Sequence, residues 1–164
     1  MTCGAPADAF FDARLAGALE ADVHWSAADM RCDGMRRPDG KGLRVTFSGV
    51  AAGKRLTLVF GVSHLAEGAS GKAIPVNVTL IREGGALYGT RGEDKCVFDE
   101  VTQERLPATK GAKGVRHWRI EAHGFCLGPA RAVGAGRDAI LVSRFDFRGP
   151  IAWESDAPAT TARR

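Results

Sequence analysis

The chain has 164 residues, of which 45% are hydrophobic and 26% are charged, and this composition is typical of a soluble globular domain rather than of a disordered or membrane protein. The formal net charge is +4. No apolar run approaches the ~18 residues of a membrane-spanning helix, and the first residues lack the basic start and apolar core of a secretory signal peptide.

The N-terminal part of the chain combines a helical signal with a strand signal. In ADAFFDARLAG, the residues Phe10, Phe11 and Leu15 have helical spacing, which predicts one short N-terminal helix of about three turns. In GALEADVHW, apolar residues such as Val23 and Trp25 alternate with charged ones. This period of two is typical of a half-buried strand.

The rest of the chain consists of short strand patterns separated by turn sequences. In LRVTFSG, the residues Leu43, Val45 and Phe47 alternate, and RLTLVFG follows after a short connection. Residues 43–61 are therefore predicted to form a β-hairpin, and RCDGMRRPDGKG is predicted to be an exposed hairpin tip. The later strand patterns are VNVTLI, ALYG, CVFDEV, VRHWRIEAHG, AILVSRFDF and IAWE.

These patterns predict an all-β protein. Many short strands and twenty-one glycines favour an antiparallel β-sandwich or a jelly-roll-like barrel, with the one short N-terminal helix capping an open end. We expect a single β-sandwich domain over residues 1–154. Residues 155–164, SDAPATTARR, carry no apolar pattern and are predicted to be a disordered C-terminal tail.

The four cysteines, Cys3, Cys32, Cys96 and Cys126, are widely separated. Zinc sites usually bring their cysteines in close pairs, so this spacing favours two disulfides, which form in oxidising compartments. Of the three possible connectivities we expect Cys3–Cys32, which would hold the N-terminus, and Cys96–Cys126, which would join two neighbouring predicted strands. The alternative is four buried free thiols in a cytosolic protein.

The cysteines therefore predict a periplasmic or extracellular protein whose signal peptide has been removed. A composition rich in Ala, Arg and Gly is typical of bacteria with GC-rich genomes. A second hypothesis makes Cys3, which is followed by Gly4, the lipidated first residue of a bacterial lipoprotein. Thr2 is an unusual residue before a lipidated cysteine.

The stretch RHWRIEAHGFC, residues 116–126, holds the densest group of reactive side chains in the sequence. On a strand, His117, Arg119, Glu121 and His123 would share one face. A strand rises ~3.3 Å per residue, so the two histidines would lie about 20 Å apart and could not share a metal ion. Glu121 and His123 would be about 7 Å apart and would need ligands from other strands. We expect no metal or cofactor.

Three other motifs lack a residue that their chemistry requires. EGASGKA lacks two defining positions of a P-loop, and GVSHL has Leu65 where a nucleophile elbow around Ser63 needs glycine. The aspartates of RCDGMRRPDGKG are interleaved with basic residues, which weakens the field that calcium needs. We therefore predict no catalytic residues. A metal-dependent or hydrolytic enzyme built on His123, Glu121 and His64 is the alternative.

The positive charge is concentrated in residues 105–164, which hold eleven Lys and Arg against five Asp and Glu, a balance of +6. Such a region favours anionic ligands, although a merely solubilising surface has the same composition. Nucleic acid is not expected, because exposed aromatic residues do not accompany the basic ones. A further hypothesis is a structural protein of an envelope assembly that pairs through strand edges. The leading prediction is a non-enzymatic exported module that binds an anionic ligand or envelope partner through Lys72, Lys110, Lys113, Arg116 and Arg119.

Overall fold

The computed structural model describes Cys3 and residues 6–38, 41–108, 114–134 and 136–154. These residues form eleven strands and one short 3-10 helix. The prediction of an antiparallel all-β fold is confirmed. In the described ranges, no helix has the length and hydrophobicity that crossing a membrane requires. The predicted tail, residues 155–164, lies outside the described residues.

The strands follow one another through short connections. Strands β4 (Leu43–Ala51) and β5 (Lys54–Val62) form the predicted hairpin, and its two-residue turn, Ala52–Gly53, has φ angles of 52° and 81°. Positive φ at both positions matches the twist of the flanking strands. In chain order the strands are β1 (Phe10–Gly17), β2 (Ala21–Ser26), β3 (Arg31–Arg36), β4 (Leu43–Ala51), β5 (Lys54–Val62), β6 (Gly71–Arg82), β7 (Leu87–Gly89), β8 (Cys96–Arg105), β9 (Val115–Cys126), β10 (Ala130–Ala132) and β11 (Ala139–Glu154); the 3-10 helix is Ala27–Asp29.

The strand pairings close into a ring. Strands β3, β4, β5, β6, β8, β9 and β11 pair in that order, and β11 returns to β3 through a parallel bridge between Ala152 and Met35. The short strands β7 and β10 make a second connection between β6 and β11. β1 pairs with β11, and β2 pairs with β1. Strand β11 therefore pairs with four of the described strands, namely β1, β3, β9 and β10.

Alternating side chains fill the inside of the ring with an apolar core. The inward positions of β4 are Leu43, Val45 and Phe47, as predicted, and all three are fully buried. Aromatic pairs at ring-centroid distances of about 4.5–7 Å stabilise a core beyond their burial alone. The fully buried phenylalanines, whose rings contact one another, are Phe11, Phe47, Phe60, Phe98, Phe145 and Phe147.

The predicted N-terminal helix is wrong, because Phe10–Gly17 forms strand β1. Phe11, Ala13 and Leu15 are buried and alternate with half-buried residues, so the true period is two. The apolar residues of this segment fit both periods, which makes the pattern ambiguous. The strand is favoured because β1 pairs along one edge with β2 and along the other with β11, whereas an isolated three-turn helix is marginal in water.

Two other segments differ from their sequence patterns. The first half of the predicted hairpin tip RCDGMRRPDGKG is strand β3, which pairs with β4. Gly34 makes this possible, because a Cβ at this position would overlap the carbonyl oxygen of Pro150 on β11. AILVSRFDF and IAWE form one strand, since the pairing of β11 with β9 continues on both sides of Pro150.

The four cysteines form the two disulfides that the sequence analysis preferred. Cys96 and Cys126 are directly opposite each other on β8 and β9 and are joined. Cys3 is joined to Cys32 of β3, and its backbone N–H donates to the carbonyl oxygen of Met30 at 3.1 Å. None of the four is a free thiol. One disulfide thus fixes the N-terminal end of the chain, and the other ties two strands of the ring.

Candidate functional site

The residues predicted to bind an anion are distributed over separate parts of the molecule. Lys72 is exposed on β6, opposite Glu100 of β8. Arg116 and Arg119 lie three positions apart on β9, so their side chains project to opposite sides of the strand. Lys110 and Lys113 lie outside the described residues. The structure therefore separates Arg116 from Arg119.

Arg116 is held in a cluster at one end of the ring. Its Nε and Nη2 atoms donate to the two carboxylate oxygens of Glu67 at 2.7 and 2.8 Å, and Trp118 Nε1 donates to the same carboxylate at 2.7 Å. The guanidinium of Arg105 lies 5.6 Å from the centroid of the Trp118 ring. Hydrogen bonding to Arg116 lowers the pKa of Glu67 below its ordinary value. Glu67 thus neutralises Arg116 within the protein.

Arg119 is also engaged, in an ion-pair network on the outer face of β9. It contacts Glu104 of β8, and its Nη1 atom lies 3.5 Å from Asp8. Arg148 of β11 donates to the same Asp8 at 2.8 Å and approaches both oxygens of Glu121, at 3.4 and 3.2 Å. Two guanidinium groups therefore alternate with three carboxylates, so the network carries no excess positive charge.

His123 lies among carboxylates on the same outer face. Its Nε2 atom is 3.3 Å from Glu100 and its Nδ1 atom is 4.0 Å from Asp99, because a register shift in β8 brings both acids to this side. In the part of the chain that the structure describes, no group of three His, Cys, Asp or Glu residues could hold a metal ion. His64 instead lines a cavity together with Arg116. Arg116 is seven residues before His123 on β9, or about 23 Å along the strand.

A cleft on the outer face of β4, β5 and β6 brings together polar groups that the sequence analysis did not select. We call it the Gly61 cleft. Its volume is about 530 Å³, which lies in the range of small-molecule sites. Strands β4, β5 and β6 supply its floor, and segments that follow β3, β5 and β7 supply its rim. It is lined by Arg37, Pro38, Arg44, Val59, Gly61, Ser63, Asn77, Thr79 and Glu93.

The floor of the cleft has its lowest point at Gly61. Arg44, Gly61 and Asn77 are register partners across β4, β5 and β6, so Arg44 and Asn77 flank the glycine with Cα atoms about 10 Å apart. A Cβ placed on Gly61 would meet no heavy atom within 4 Å. The space above Gly61 is therefore open, with a cation on one side and an amide on the other.

The rim of the cleft is fixed by a hydrogen-bond network around Ser63. The backbone N–H and the hydroxyl of Ser63 both donate to Glu93 Oε2, at 3.0 and 2.7 Å. The Ser63 hydroxyl also accepts a hydrogen bond from Arg37 Nη1 at 3.0 Å, and this nitrogen lies 3.9 Å from Glu93 Oε2. Because Glu93 and Arg37 hold each other through Ser63, this side of the cleft is rigid and locally neutral.

The floor offers hydrogen-bond donors with few partners in the protein. Within the described residues, Arg44 makes one polar contact, from Nη2 to the sulfur of Met35 at 3.6 Å, and sulfur is a weak acceptor. The side-chain oxygen of Asn77 lies 3.3 Å from the Thr90 hydroxyl, and this contact leaves the Asn77 NH₂ group to donate. The neighbouring residue on this face of β6 is Thr79. The cleft can therefore bind an acceptor-rich ligand.

Sequence patterns gave little sign of this cleft, because its residues come from three strands and three connections. One signal was available. Gly61 ends the strand pattern RLTLVFG, and a glycine at an outward strand position often marks the close approach of a ligand or of another backbone. The hydroxyl of Ser63, which a nucleophile would need free, is bonded to Glu93 and Arg37.

Comparisons with models of known protein families, with curated proteins and with solved structures give no match for this chain. Any indication of function therefore comes from the chemistry of the described residues. Two features bear on function. One is the Gly61 cleft with Arg44 on its floor, and the other is the pair of disulfides that cross-link the fold.

Proposed function

We propose that this protein is an exported, non-enzymatic binding module that holds a small anionic ligand in the Gly61 cleft. The observation that supports this most directly is the state of Arg44. Its guanidinium lines the cleft, and its only polar contact among the described residues is with a thioether sulfur. A guanidinium presents five donors in a planar fork that matches a carboxylate or phosphate, so an anionic ligand is the natural partner.

Several other arginines provide a contrast, because each of them is paired with a carboxylate of the protein. A guanidinium paired with its own carboxylate contributes little to attracting an external anion. Binding through Arg116 or Arg119 would require breaking these pairs, and Lys72, Lys110 and Lys113 remain predicted contacts. Among the described residues, arginines with carboxylate partners include Arg14, Arg37, Arg116, Arg119, Arg144 and Arg148.

The disulfides support export. Both cross-links would be reduced in a typical bacterial cytosol, whereas they persist in a periplasm or outside the cell. We also infer that the closed ring of strand pairings makes the frame a flattened barrel rather than two separate sheets. In such a frame, β4, β5 and β6 are paired along both edges, which keeps the floor of the cleft rigid and preorganised for a ligand.

The test is anion binding by the full chain, measured by isothermal titration calorimetry and by the shift in melting temperature. The probes are sodium citrate, sodium sulfate and sodium glucuronate in low-salt buffer. We expect at least one of these anions to bind, with an affinity that falls as sodium chloride is added.

The variant Arg44→Gln should lose this binding by about tenfold or more, since a charge-assisted hydrogen bond contributes roughly 1.5–3 kcal/mol. The matched control is Arg31→Gln, which removes the same charge from an exposed position on the neighbouring strand β3, outside the cleft. It should bind as the unmodified protein does. The proposal is overturned if none of the three anions binds, or if both variants bind equally well.

A further inference from the structure

The chemistry of the Gly61 cleft changes across its width. Arg44 supplies a cation on the β4 side, whereas Asn77 and Thr79 supply neutral amide and hydroxyl groups on the β6 side. At the rim, the Glu93 carboxylate can accept hydrogen bonds from a ligand in addition to those from Ser63. A complementary ligand therefore has one anionic end and several hydroxyl groups.

The floor has the shape for a ring lying flat. Gly61 leaves a gap between Arg44 and Asn77, and the next outward residue on β5, Val59, is apolar and half-buried. The gap is about two strand spacings wide, or roughly 10 Å between the flanking Cα atoms. The C–H face of a saturated six-membered ring could rest on the Gly61 backbone and the Val59 side chain, while its edge substituents reach the polar groups.

Other anionic ligands fit these features less well. A peptide bound by strand addition needs an unpaired strand edge, and the floor strands β4, β5 and β6 are paired on both sides. A nucleic acid needs stacking platforms, and the lining contains no aromatic residue. A small inorganic anion would leave Asn77 and Thr79 unused.

We infer that the ligand of the Gly61 cleft is an acidic sugar, that is, a pyranose ring that carries one carboxylate, as in a hexuronic acid. Arg44 binds the carboxylate through its guanidinium fork. Asn77 and Thr79 bind ring hydroxyls, and Glu93 accepts from a further hydroxyl. This assignment depends on the proposed anion-binding function and specifies the ligand class of the same site.

The first experiment compares ligands that differ in one group. Glucuronate and galacturonate are titrated into the full chain beside their neutral parent sugars, glucose and galactose, and beside glucuronamide, in which an amide replaces the carboxylate. Acetate and sulfate test the charge without the ring. We expect at least one uronate to bind about tenfold more tightly than its parent sugar, than glucuronamide and than acetate, because both the ion pair and the hydroxyl contacts are needed.

The outcomes separate this inference from the proposed function. If sulfate or acetate binds as tightly as the uronates, the site is an anion site without sugar recognition, and the inference is wrong while the proposed function stands. If glucose and glucuronamide equal the uronates, the charge is irrelevant and both proposals are wrong. Both proposals are also wrong if none of the anions binds, including the citrate used to test the proposed function.

The second experiment fills the gap at Gly61 with the graded variants Gly61→Ala and Gly61→Val. A Cβ at Gly61 meets open space, and valine is favoured in strands, so both variants should unfold at the same denaturant concentration as the unmodified protein or higher. Uronate affinity should fall slightly with alanine and by about tenfold or more with valine, which occupies the ring position. Unchanged uronate binding by a folded Gly61→Val variant would contradict the inference.

Discussion

Glu67 shows how one carboxylate organises the end of the ring. It accepts three hydrogen bonds of 2.7–2.8 Å, two from Arg116 and one from Trp118. In the same region, Gln103 donates to the carbonyl oxygens of Ala66 and Ala69 at 2.9 and 3.0 Å. The segment between β5 and β6 is therefore fastened to β8 and β9 by side chains, and the ionised form of Glu67 is part of that attachment.

The residue-scale prediction is that this attachment depends on pH. Hydrogen bonds from Arg116 hold the pKa of Glu67 below its ordinary value of about 4.5. A carboxyl group whose pKa is lower in the folded state stabilises the fold above the unfolded-state pKa, and this stability is lost as the pH falls through the folded-state pKa. We expect Glu67→Gln to lower the free energy of unfolding at pH 7 by about 1–2 kcal/mol.

Urea unfolding at pH 7 and at a pH below 4 measures both effects. The difference between Glu67→Gln and the unmodified protein should shrink at the acidic pH, because the contribution of ionised Glu67 falls once the pH is below the unfolded-state pKa and is lost as the pH passes the lower folded-state pKa. Glu20→Gln is the control, since Glu20 pairs with Arg14 at the exposed surface and such pairs contribute little. An equal loss of stability at both pH values would argue against the role given to ionised Glu67.

At the scale of the strands, two glycines that both lie within strands have opposite roles. Gly34 lies where β3 contacts β11, and a side chain there would overlap Pro150 and Ile151. Gly61 faces open space. Neither has a positive φ, so the difference comes from neighbouring strands alone.

We therefore predict that Gly34→Ala destabilises the protein by about 2 kcal/mol or more, because backbone atoms of β11 must move and overpacking costs about 1–3 kcal/mol. Gly61→Ala should change stability by less than about 0.5 kcal/mol or increase it. Chemical denaturation of the two variants side by side is the measurement. Equal stability of the two variants would mean that the contact between β3 and β11 is looser than described.

The elements that the sequence predicts correctly are those whose pattern lies within a few neighbouring residues. The β4–β5 hairpin followed from alternating apolar residues and a short turn, and the all-β class followed from repeating that pattern. Strand β1 was assigned as a helix because its apolar residues fit both periods, and only the pairing with β2 and β11 decides between them. The cleft was not predictable in the same way, since the approach of Arg44, Gly61 and Asn77 depends on the register of three strands.

At the scale of the whole molecule, the disulfides connect parts of the fold that are distant in sequence. Cys3–Cys32 and Cys96–Cys126 span 29 and 30 residues. A cross-link that closes a loop of this length is expected to contribute about 3.6 kcal/mol through the entropy of the unfolded chain.

The double variant Cys96→Ala/Cys126→Ala should therefore unfold at a lower urea concentration, with a loss of about 2–4 kcal/mol in the free energy of unfolding.

A thiol titration of the unmodified protein, unfolded but not reduced, should count no reactive thiols. After reduction it should count four. Four reactive thiols before reduction would mean that the cysteines are not cross-linked and would remove the support for export.

Strand β11 has a consequence for how the chain acquires its structure. It pairs with β1, β3, β9 and β10, yet every one of these precedes it in order of synthesis. A nascent polypeptide that has emerged from the ribosome only as far as β10 still lacks the strand on which its two halves meet, so the phenylalanine interior cannot close. Folding must then wait for the last strand, and contacts between residues far apart in sequence make such folding slow.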